Sequence, residues 1–266
     1  MSTPSPKRRT FTYKKIDRLE IPLDLYLPDD AKNVPILLWF HGGGLLQGKR
    51  TSASPHMLKA VSKYNIALVS ADYRLAPQIG VAEIYEDVKD CVAFIRNKLS
   101  GLAGDGAIDP KVILPIYPIT DPLGLYFTTS QPPSFGGPPP DVKALERFID
   151  PSSDVVAFNE PDSKRNGMYT YMLQEANLAS LLKMNSGDDT WRVAKKIYER
   201  GLPPTYVVHG DADTAVGVDQ ADEVVGVMVG LGLPVVYERL HGVEHLFDKK
   251  EGVTLEKMYE WMMKQL

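Results

Sequence analysis

The stretch Val34-Pro35-Ile36-Leu37-Leu38-Trp39-Phe40-His41-Gly42-Gly43-Gly44 decides the fold of this chain. Its apolar part, residues 34–40, is typical of a buried parallel strand. Three glycines follow at once, and they let the backbone turn and approach a ligand without Cβ clashes. Backbone N–H groups in such a turn can point at one site and stabilise a negative charge there. The stretch therefore predicts a strand that ends in an oxyanion loop formed by His41, Gly42, Gly43 and Gly44. A tight glycine turn with no ligand is the alternative.

Strand-like and helix-like runs alternate along the rest of the chain, which predicts an α/β protein with a mostly parallel sheet and helices on both faces. Pro115 weakens one of the predicted strands, because proline cannot donate to a sheet. The further predicted strands are 21–27 (as an exposed or edge strand), 66–72, 112–118, 205–209 and 234–240. The predicted helices are 83–99, 141–149, 169–184, 189–200, 218–231 and 253–265.

The pattern divides the chain into a leader, a core and an insertion. Residues 1–18 carry a small basic patch and are predicted to be a solvated, partly disordered leader. The core is predicted at 19–120 and 204–266, and a lid or cap insertion at 121–203. The insertion is rich in apolar side chains, which either line an acyl pocket or form a small core of the lid itself. These side chains are Tyr126, Phe127, Phe135, Phe158, Met168, Tyr169, Tyr171, Met172 and Leu173.

Two residues near the end of the chain are candidates for an acid and a base. Asp213 follows the predicted strand 205–209, and His245 lies in a loop after the last predicted strand, where a base can reach the sheet edge. Asp211 is the local rival of Asp213, although it is better suited to shaping the turn through its own side chain. His241 is the competitor of His245. Each of these histidines could also be purely structural.

Four motifs in this order resemble the hormone-sensitive-lipase-like branch of the α/β-hydrolase family. They are His41-Gly42-Gly43-Gly44, Asp72-Tyr73-Arg74-Leu75-Ala76-Pro77, His209-Gly210-Asp211-Ala212-Asp213, and His245 with its flanking Gly242 and Phe247. The resemblance spans about residues 20 to 266. It implies a carboxylic-ester hydrolase in which the glycine loop is the oxyanion hole, Asp213 is the acid and His245 is the base. It also implies that Asp72 and Arg74 are polar supports beneath the site.

The nucleophile expected from this resemblance is missing. The printed sequence contains no Gly-x-Ser-x-Gly, the turn that presents the serine in this fold. Residues 107–110 run directly into the predicted strand 112–118, so one central strand–helix unit is absent as a block. The stretch 103–107 and Ser100 lack the required neighbours, and Thr120 and Asp121 are weak substitutes. The nucleophile is therefore unknown, and we expect impaired catalysis, a binding role for an apolar small molecule, or a truncated gene product.

Composition excludes several other classes of protein. A formal net charge of −4 gives no reason to expect binding to nucleic acid. No apolar segment approaches the ~20 residues that span a membrane, and the N-terminus has no secretory signal. The single cysteine, Cys91, fits a reducing compartment, so the cytoplasm is expected, and it is read as a small buried residue. The sequence implies no cofactor and no metal, expects an apolar ester or another small molecule as ligand, and does not determine the oligomeric state.

Overall fold

The computed structural model describes residues 6–29, 31–99, 110–185 and 187–266. Within these ranges the α/β class is confirmed, because helices alternate with the strands of two sheets. No helix in these ranges is long and apolar enough to cross a membrane. The strands are β1 (Lys7–Ile16), β2 (Leu19–Leu27), β3 (Ile36–Phe40), β4 (Ala67–Ala71), β5 (Thr205–Gly210) and β6 (Val235–Leu240).

Most predicted helices are present, with small shifts at their ends. The predicted helix 169–184 is divided into two short helices by Ala176, whose φ of +52° is left-handed. A helix that the sequence did not predict, α1, lies between β3 and β4. The helices are α1 (Pro55–Lys63), α2 (Val81–Lys98), α3 (Leu125–Thr128), α4 (Val142–Ile149), α5 (Met168–Glu175), α6 (Leu178–Leu181), α7 (Val193–Arg200), α8 (Asp219–Gly230) and α9 (Glu256–Met263).

The first sheet is mixed and has the strand order β1-β2-β4-β3. β3 and β4 are parallel, with Ile36 opposite Ala67 and Phe40 opposite Ala71, as the sequence predicted. β2 is antiparallel to both of its neighbours. β3 is the last strand in this order, and the glycine loop begins directly after its carboxyl end.

The prediction of an exposed or edge strand at 21–27 is wrong. β2 lies inside the sheet, and Ile21, Leu23 and Leu25 belong to its core. The alternation with Asp24 suggested a solvated face, yet this carboxylate is fully buried. Thr10 Oγ1 donates to Asp24 Oδ1 over 2.7 Å, and Arg50 Nε lies 3.2 Å from the same oxygen. Partners distant in the sequence thus compensate for the burial of the charge.

The prediction of a leader at residues 1–18 is also wrong for residues 7–16. These residues form β1, which pairs with the whole length of β2. Its alternate side chains Phe11 and Tyr13 pack on the core, whereas Lys7, Arg8, Arg9 and Lys15 are exposed. The basic residues mark the exposed face of an edge strand, and such charges protect an edge from unwanted pairing.

Residues 112–118 form less of a strand than predicted. Only two isolated bridges join them to β5, Ile113 with Thr205 and Ile116 with Val208, and both are parallel. Hydrogen bonds run from Val208 N to Pro115 O and from Tyr117 N to Val208 O. Pro115 has no N–H to offer in return, and this interrupts the ladder.

The second sheet contains the parallel pair β5 and β6, with Thr205 opposite Val235. β5 is buried along its whole length. Ile197 of α7 and Val224 and Met228 of α8 form a buried cluster. Val235 of β6 is partly buried and packs on that cluster, beside the amino end of β5.

The chain divides into two compact units. The first contains residues 1–108, 142–169 and 248–254, and the second contains 109–141, 170–247 and 255–266. The predicted division into a core and a cap at 121–203 does not coincide with these units and stays a prediction. Of the apolar residues of the insertion, Phe127, Met168, Met172 and Leu173 are buried, whereas Phe135 and Phe158 are exposed.

Cys91 lies in the core of the first unit, as expected. It is fully buried on α2, next to Ile95 and beneath the sheet. Burial raises the pKa of its thiol to about 12. A thiol of this kind is an inert part of the packing, not a nucleophile.

Candidate active site

The glycine loop of the first unit needs the glycine at position 43. Gly43 has a φ of +106°, and a Cβ built on it would lie 2.2 Å from the carbonyl oxygen of Gln47. Gly44 and Leu45 are also left-handed, each with a φ of +64°. Gly42, in contrast, has open space around its Cα. The loop therefore turns sharply at 43–45, immediately after β3.

His41 fixes the start of this loop. Its imidazole is buried and stacks on Tyr73, with ring centroids 4.2 Å apart. His41 Nδ1 lies 2.9 Å from Gly42 O, and the Tyr73 hydroxyl donates to His41 O over 2.6 Å. Burial lowers the pKa of His41 to about 4, so this side chain is neutral at neutral pH. It supports the loop without adding a charge to it.

Two residues that the sequence did not single out hold the far side of the loop. Asn159 Oδ1 accepts from Gly48 N over 2.7 Å, and Asn159 N donates to Gly48 O over 3.0 Å. Arg165 is buried and donates from Nε to Leu46 O over 2.7 Å. Its Nη2 donates to Ala76 O, also over 2.7 Å. Burial lowers the pKa of Arg165 to about 10. Neither residue lies in a motif, so only the fold reveals their role.

Asp72 and Arg74, the predicted polar supports, do not pair with each other. Asp72 pairs with Arg50, and Arg74 pairs with Asp87. Asp72 is buried and accepts from the backbone N and the Nη1 of Arg50, each over 2.6 Å. Burial raises the pKa of Asp72 to about 6, although Arg50 opposes this shift. Arg74 pairs with Asp87 of α2 through Nε and Nη2, each at 2.8 Å. Neither residue is shown to take part in catalysis.

Asp213 and His245, the predicted acid and base, lie together in the second unit. His245 Nδ1 is 2.7 Å from Asp213 Oδ2. The Asp213 carboxylate is almost completely buried, and the His245 side chain is largely so. A histidine held in this way through Nδ1 keeps the lone pair of Nε2 for accepting a proton. The pair therefore has the geometry of a general base and the acid that orients it.

The second unit keeps Asp213 ionised. Burial opposes its charge, but hydrogen bonds from His209 and His245 and from the backbone outweigh burial and hold the pKa of Asp213 well below its ordinary value. Asp213 Oδ1 accepts from Ala215 N over 2.8 Å and from Val216 N over 2.7 Å. His209 Nε2 lies 3.3 Å from Asp213 Oδ2 and 3.0 Å from Val216 O.

The rivals of this pair have structural surroundings. Asp211 Oδ1 accepts from Gly242 N over 2.7 Å, and its Oδ2 lies 3.2 Å from His241 Nδ1. The His241 side chain is 98% exposed. Asp211 therefore shapes the turn, as the sequence indicated, and the His241 side chain lies in solvent.

Aromatic rings surround the imidazole of His245. The ring of Tyr117 lies 4.1 Å away and the ring of Phe135 lies 6.1 Å away, centroid to centroid. Tyr117 has a φ of +40° and Phe135 a φ of +59°, a backbone region that aromatic residues rarely occupy. Both segments are strained at the point where they meet the candidate base. Such strain is a feature of functional sites.

The Glu244 carboxylate connects the acid loop and the base loop through hydrogen bonds. Glu244 Oε1 accepts from His245 N and from Thr214 N, each over 2.7 Å. Thr214 Oγ1 donates to Glu244 Oε2 over 2.9 Å and accepts from Phe135 N over 3.0 Å. The sequence did not predict this role for Thr214 or Glu244, because both look like ordinary loop residues.

Thr120 and Asp121, the weak substitutes for the missing nucleophile, form hydrogen bonds with other residues. The Thr120 hydroxyl donates to Gln220 O over 2.7 Å. Asp121 Oδ2 accepts from Arg192 Nη2 over 2.7 Å. Both polar groups therefore make structural contacts within the second unit. Ser100 and the stretch 103–107 lie outside the described residues.

Comparisons with known proteins agree with this fold. Residues 23–108 match the family model described as BD-FAE. The chain is 38% identical over 110 residues to the non-reducing polyketide synthase stbA of Stachybotrys bisbyi, a match that covers 40% of this chain and 5% of the synthase. The chain thus spans only a small part of that relative. It is 24% identical to the probable carboxylesterase M8 of a Phoma species, over 79% of each protein.

A solved structure shows the same architecture. An α/β-hydrolase superfamily protein from Enterococcus faecalis superposes with a TM-score of 0.74 at 15% identity, and the match covers 98% of this chain and 99% of the other. The chain therefore has the α/β-hydrolase fold. It resembles the hormone-sensitive-lipase-like esterases of the α/β-hydrolase family, as its four motifs indicated.

Proposed function

We propose that this chain is a catalytically impaired α/β-hydrolase of carboxylesterase type, which has an acid–base pair but no Gly-x-Ser-x-Gly serine in its printed sequence. The distance of 2.7 Å between His245 Nδ1 and Asp213 Oδ2 carries the proposal. With a proton on Nδ1 directed at the carboxylate, Nε2 can accept a proton from an attacking hydroxyl group. No Gly-x-Ser-x-Gly turn supplies that hydroxyl.

In the same proposal, His41, Gly42, Gly43 and Gly44 form the oxyanion loop. The left-handed turn at Gly43 and Gly44 supports it, because such a backbone can direct N–H groups toward one side of the chain. Each N–H group of this kind contributes about 3 kcal/mol to the stabilisation of an acyl-transfer transition state. The loop requires no cofactor and no metal for this role.

The name of one relative, a probable carboxylesterase, supports a carboxylic ester as the ligand. The rings of Tyr117 and Phe135 beside His245 fit an apolar group near the base. The single cysteine supports a reducing compartment such as the cytoplasm. The charge of −4 supports a small-molecule ligand over nucleic acid.

Two assays test the proposal. The chain is incubated with p-nitrophenyl butyrate and, separately, with a fluorophosphonate probe that labels activated serines. We expect no labelling and a hydrolysis rate that is the same for the chain and for its His245→Ala variant. Covalent labelling of a serine or threonine, lost together with ester turnover when that residue is replaced, would falsify the absence of a nucleophile.

A binding protein for an apolar small molecule is the second candidate function. The observation in its favour is the pair of aromatic rings at His245. A panel of aromatic and aliphatic esters is screened for a rise in melting temperature without consumption of the ester. A rise that is lost in the Tyr117→Ala variant supports binding, and faster consumption than in buffer contradicts it.

A truncated gene product is the remaining alternative. The coding sequence between the codons for Pro110 and Lys111 decides this point. A transcript with an in-frame segment encoding Gly-x-Ser-x-Gly at that position would assign the printed chain to a shortened form of an active esterase. A continuous transcript contradicts this alternative.

A further inference from the structure

Residues 132–137 form a short strap beside the candidate base of the second unit. The strap contains Phe135, whose ring centroid lies 6.1 Å from that of the His245 imidazole. The His245 side chain is only 12% exposed, whereas Phe135 is 52% exposed. The Phe135 ring therefore covers part of the imidazole, while about half of this residue is in contact with water.

The two aromatic rings at His245 are held in different ways. Tyr117 belongs to the segment that pairs with β5, and its N–H donates to Val208 O over 2.8 Å. The Tyr117 ring also packs edge-on against the ring of Phe247. Phe135, in contrast, is half exposed, and its N–H donates to Thr214 Oγ1 over 3.0 Å. Of these two rings, that of Phe135 can leave the imidazole with the smaller loss of packing.

The backbone of the strap favours its release. Phe135 has a φ of +59° and a ψ of 18° inside the short 3-10 turn Ser134–Gly136. A bulky aromatic residue is disfavoured in this left-handed region. The hydrogen bond from Gly136 N to Pro133 O stays within the strap and does not connect it to the rest of the unit. A contact from outside the strap is therefore needed to hold the strained conformation.

The Thr214 hydroxyl supplies such a contact, and Glu244 fixes its orientation. A hydroxyl group has one proton to donate and two lone pairs that accept. The proton is donated to Glu244 Oε2 over 2.9 Å, so a lone pair accepts from Phe135 N over 3.0 Å. Glu244 Oε1 accepts from His245 N over 2.7 Å. The group that holds the strap is thus bonded to the group that holds the candidate base.

We propose that the strap is a movable cover of His245 and that the Thr214 hydroxyl is its latch. With the latch closed, the Phe135 ring limits access to the imidazole. When the hydrogen bond from Phe135 N breaks, this residue leaves the left-handed region and its ring moves into water. Gly136 and Gly137, which follow directly, permit the change in backbone angles. The proposal rests on His245 as the candidate base, although it does not require turnover of an ester.

Chemical modification of the histidines measures access to His245. The full chain is treated with diethyl pyrocarbonate at about pH 8, where ordinary imidazoles are neutral. Mass spectrometry gives the rate at His245 relative to that at His241, whose side chain is 98% exposed. We expect Thr214→Val to raise this relative rate about fivefold, the change in an equilibrium that the loss of one hydrogen bond produces. Thr214→Ser should restore the wild-type rate, and Phe135→Ala, which leaves Thr214 and Glu244 in place, should also raise it.

Hydrogen exchange of two backbone amides distinguishes a latch from general support of the loops. In Thr214→Val the N–H of Phe135 has lost its acceptor, and its exchange should accelerate about fivefold. Exchange at His245 N should stay unchanged, because the backbone N of residue 214 still donates to Glu244 Oε1. Accelerated exchange at both amides overturns the proposal, and so does a wild-type rate of His245 modification in either Thr214→Val or Phe135→Ala.

Neither measurement depends on ester turnover. Covalent labelling of a serine or threonine by the fluorophosphonate probe would contradict the proposed function and leave these rates unaffected. Failure of the strap and failure of the proposed function therefore give different results.

Discussion

Gly42 and Gly43 are neighbours that tolerate a side chain very differently. Gly43 is left-handed, and a Cβ there would meet Gln47 O at 2.2 Å, whereas nothing lies within 4 Å of a Cβ at Gly42. We expect Gly43→Ala to lower the free energy of unfolding by about 1–3 kcal/mol. Gly42→Ala should change it by less than about 0.5 kcal/mol. Urea denaturation of both variants measures the difference, and equal effects would show that the turn at 43 is wrongly placed.

Asp213 gives the stability of the second unit a defined pH dependence. Its pKa is lower in the folded chain than the ordinary 3.8, so its contribution is present above that value and is lost as the pH falls below it. We expect Asp213→Asn to reduce the free energy of unfolding by about 1–3 kcal/mol at neutral pH. The reduction should shrink as the pH is lowered below about 4, because Asp213 then gains a proton in the unfolded chain while it is still ionised in the folded chain, and this removes the wild-type advantage.

Asp154→Asn is the matched control for this measurement, because Asp154 is exposed. Its effect should be close to zero at every pH. A pH-independent difference between the wild type and Asp213→Asn would mean that the carboxylate does not gain its stabilisation from ionisation.

Asp213 and His245 could be predicted because their order and spacing follow from the topology of the sheet. The acid is expected in the loop after β5 and the base in the loop after β6. Both loops can be recognised in the sequence without knowledge of the three-dimensional contacts. Arg165 and Asn159 could not be predicted in this way. Their partners are backbone atoms of Leu46 and Gly48, more than a hundred positions away along the chain, and a backbone carbonyl leaves no mark in a sequence.

The packing of β1 on the core can be tested with a single substitution. The Phe11 ring lies 6.1 Å from that of Phe94 on α2 and packs on the core of the first unit. We expect Phe11→Ala to lower the free energy of unfolding by about 1–3 kcal/mol because apolar area is exposed. Arg9→Ala, at an exposed position of the same strand, should be nearly neutral. A neutral Phe11→Ala variant would instead indicate a solvated leader at residues 7–16.

Elements with a single dominant period were the ones that the sequence predicted best. α2 has apolar residues at helical spacing, and β4 is a short apolar run between turn residues, so both lie close to their predicted bounds. β1 was missed because its alternation is masked by lysine and arginine on the exposed face. The segment 112–118 was overestimated because its apolar residues suit a strand, while its prolines cannot complete one.

Labelling of the Cys91 thiol can report the unfolding of the first unit. It is the only cysteine in the sequence, it is fully buried, and burial raises its pKa to about 12. We expect a thiol reagent such as Ellman's reagent to label it only when the core opens. The labelling rate should therefore follow the unfolding transition as urea is added.

An Asn97→Cys substitution in a Cys91→Ala background is the control, because position 97 is exposed on the same helix. That thiol should react at once in the folded protein. Equally rapid labelling of Cys91 without denaturant would contradict its position in the core.

The link from Thr214 through Glu244 to His245 has a consequence for protein engineering. Because Glu244 joins the backbones of both loops, the acid and the base stay aligned without help from a substrate or from a serine. If Asp213 and His245 have the proposed roles, a designer starts from an acid and a base that are already positioned. Only a hydroxyl or thiol group has to be introduced within reach of the imidazole, on a backbone that already restrains its partners.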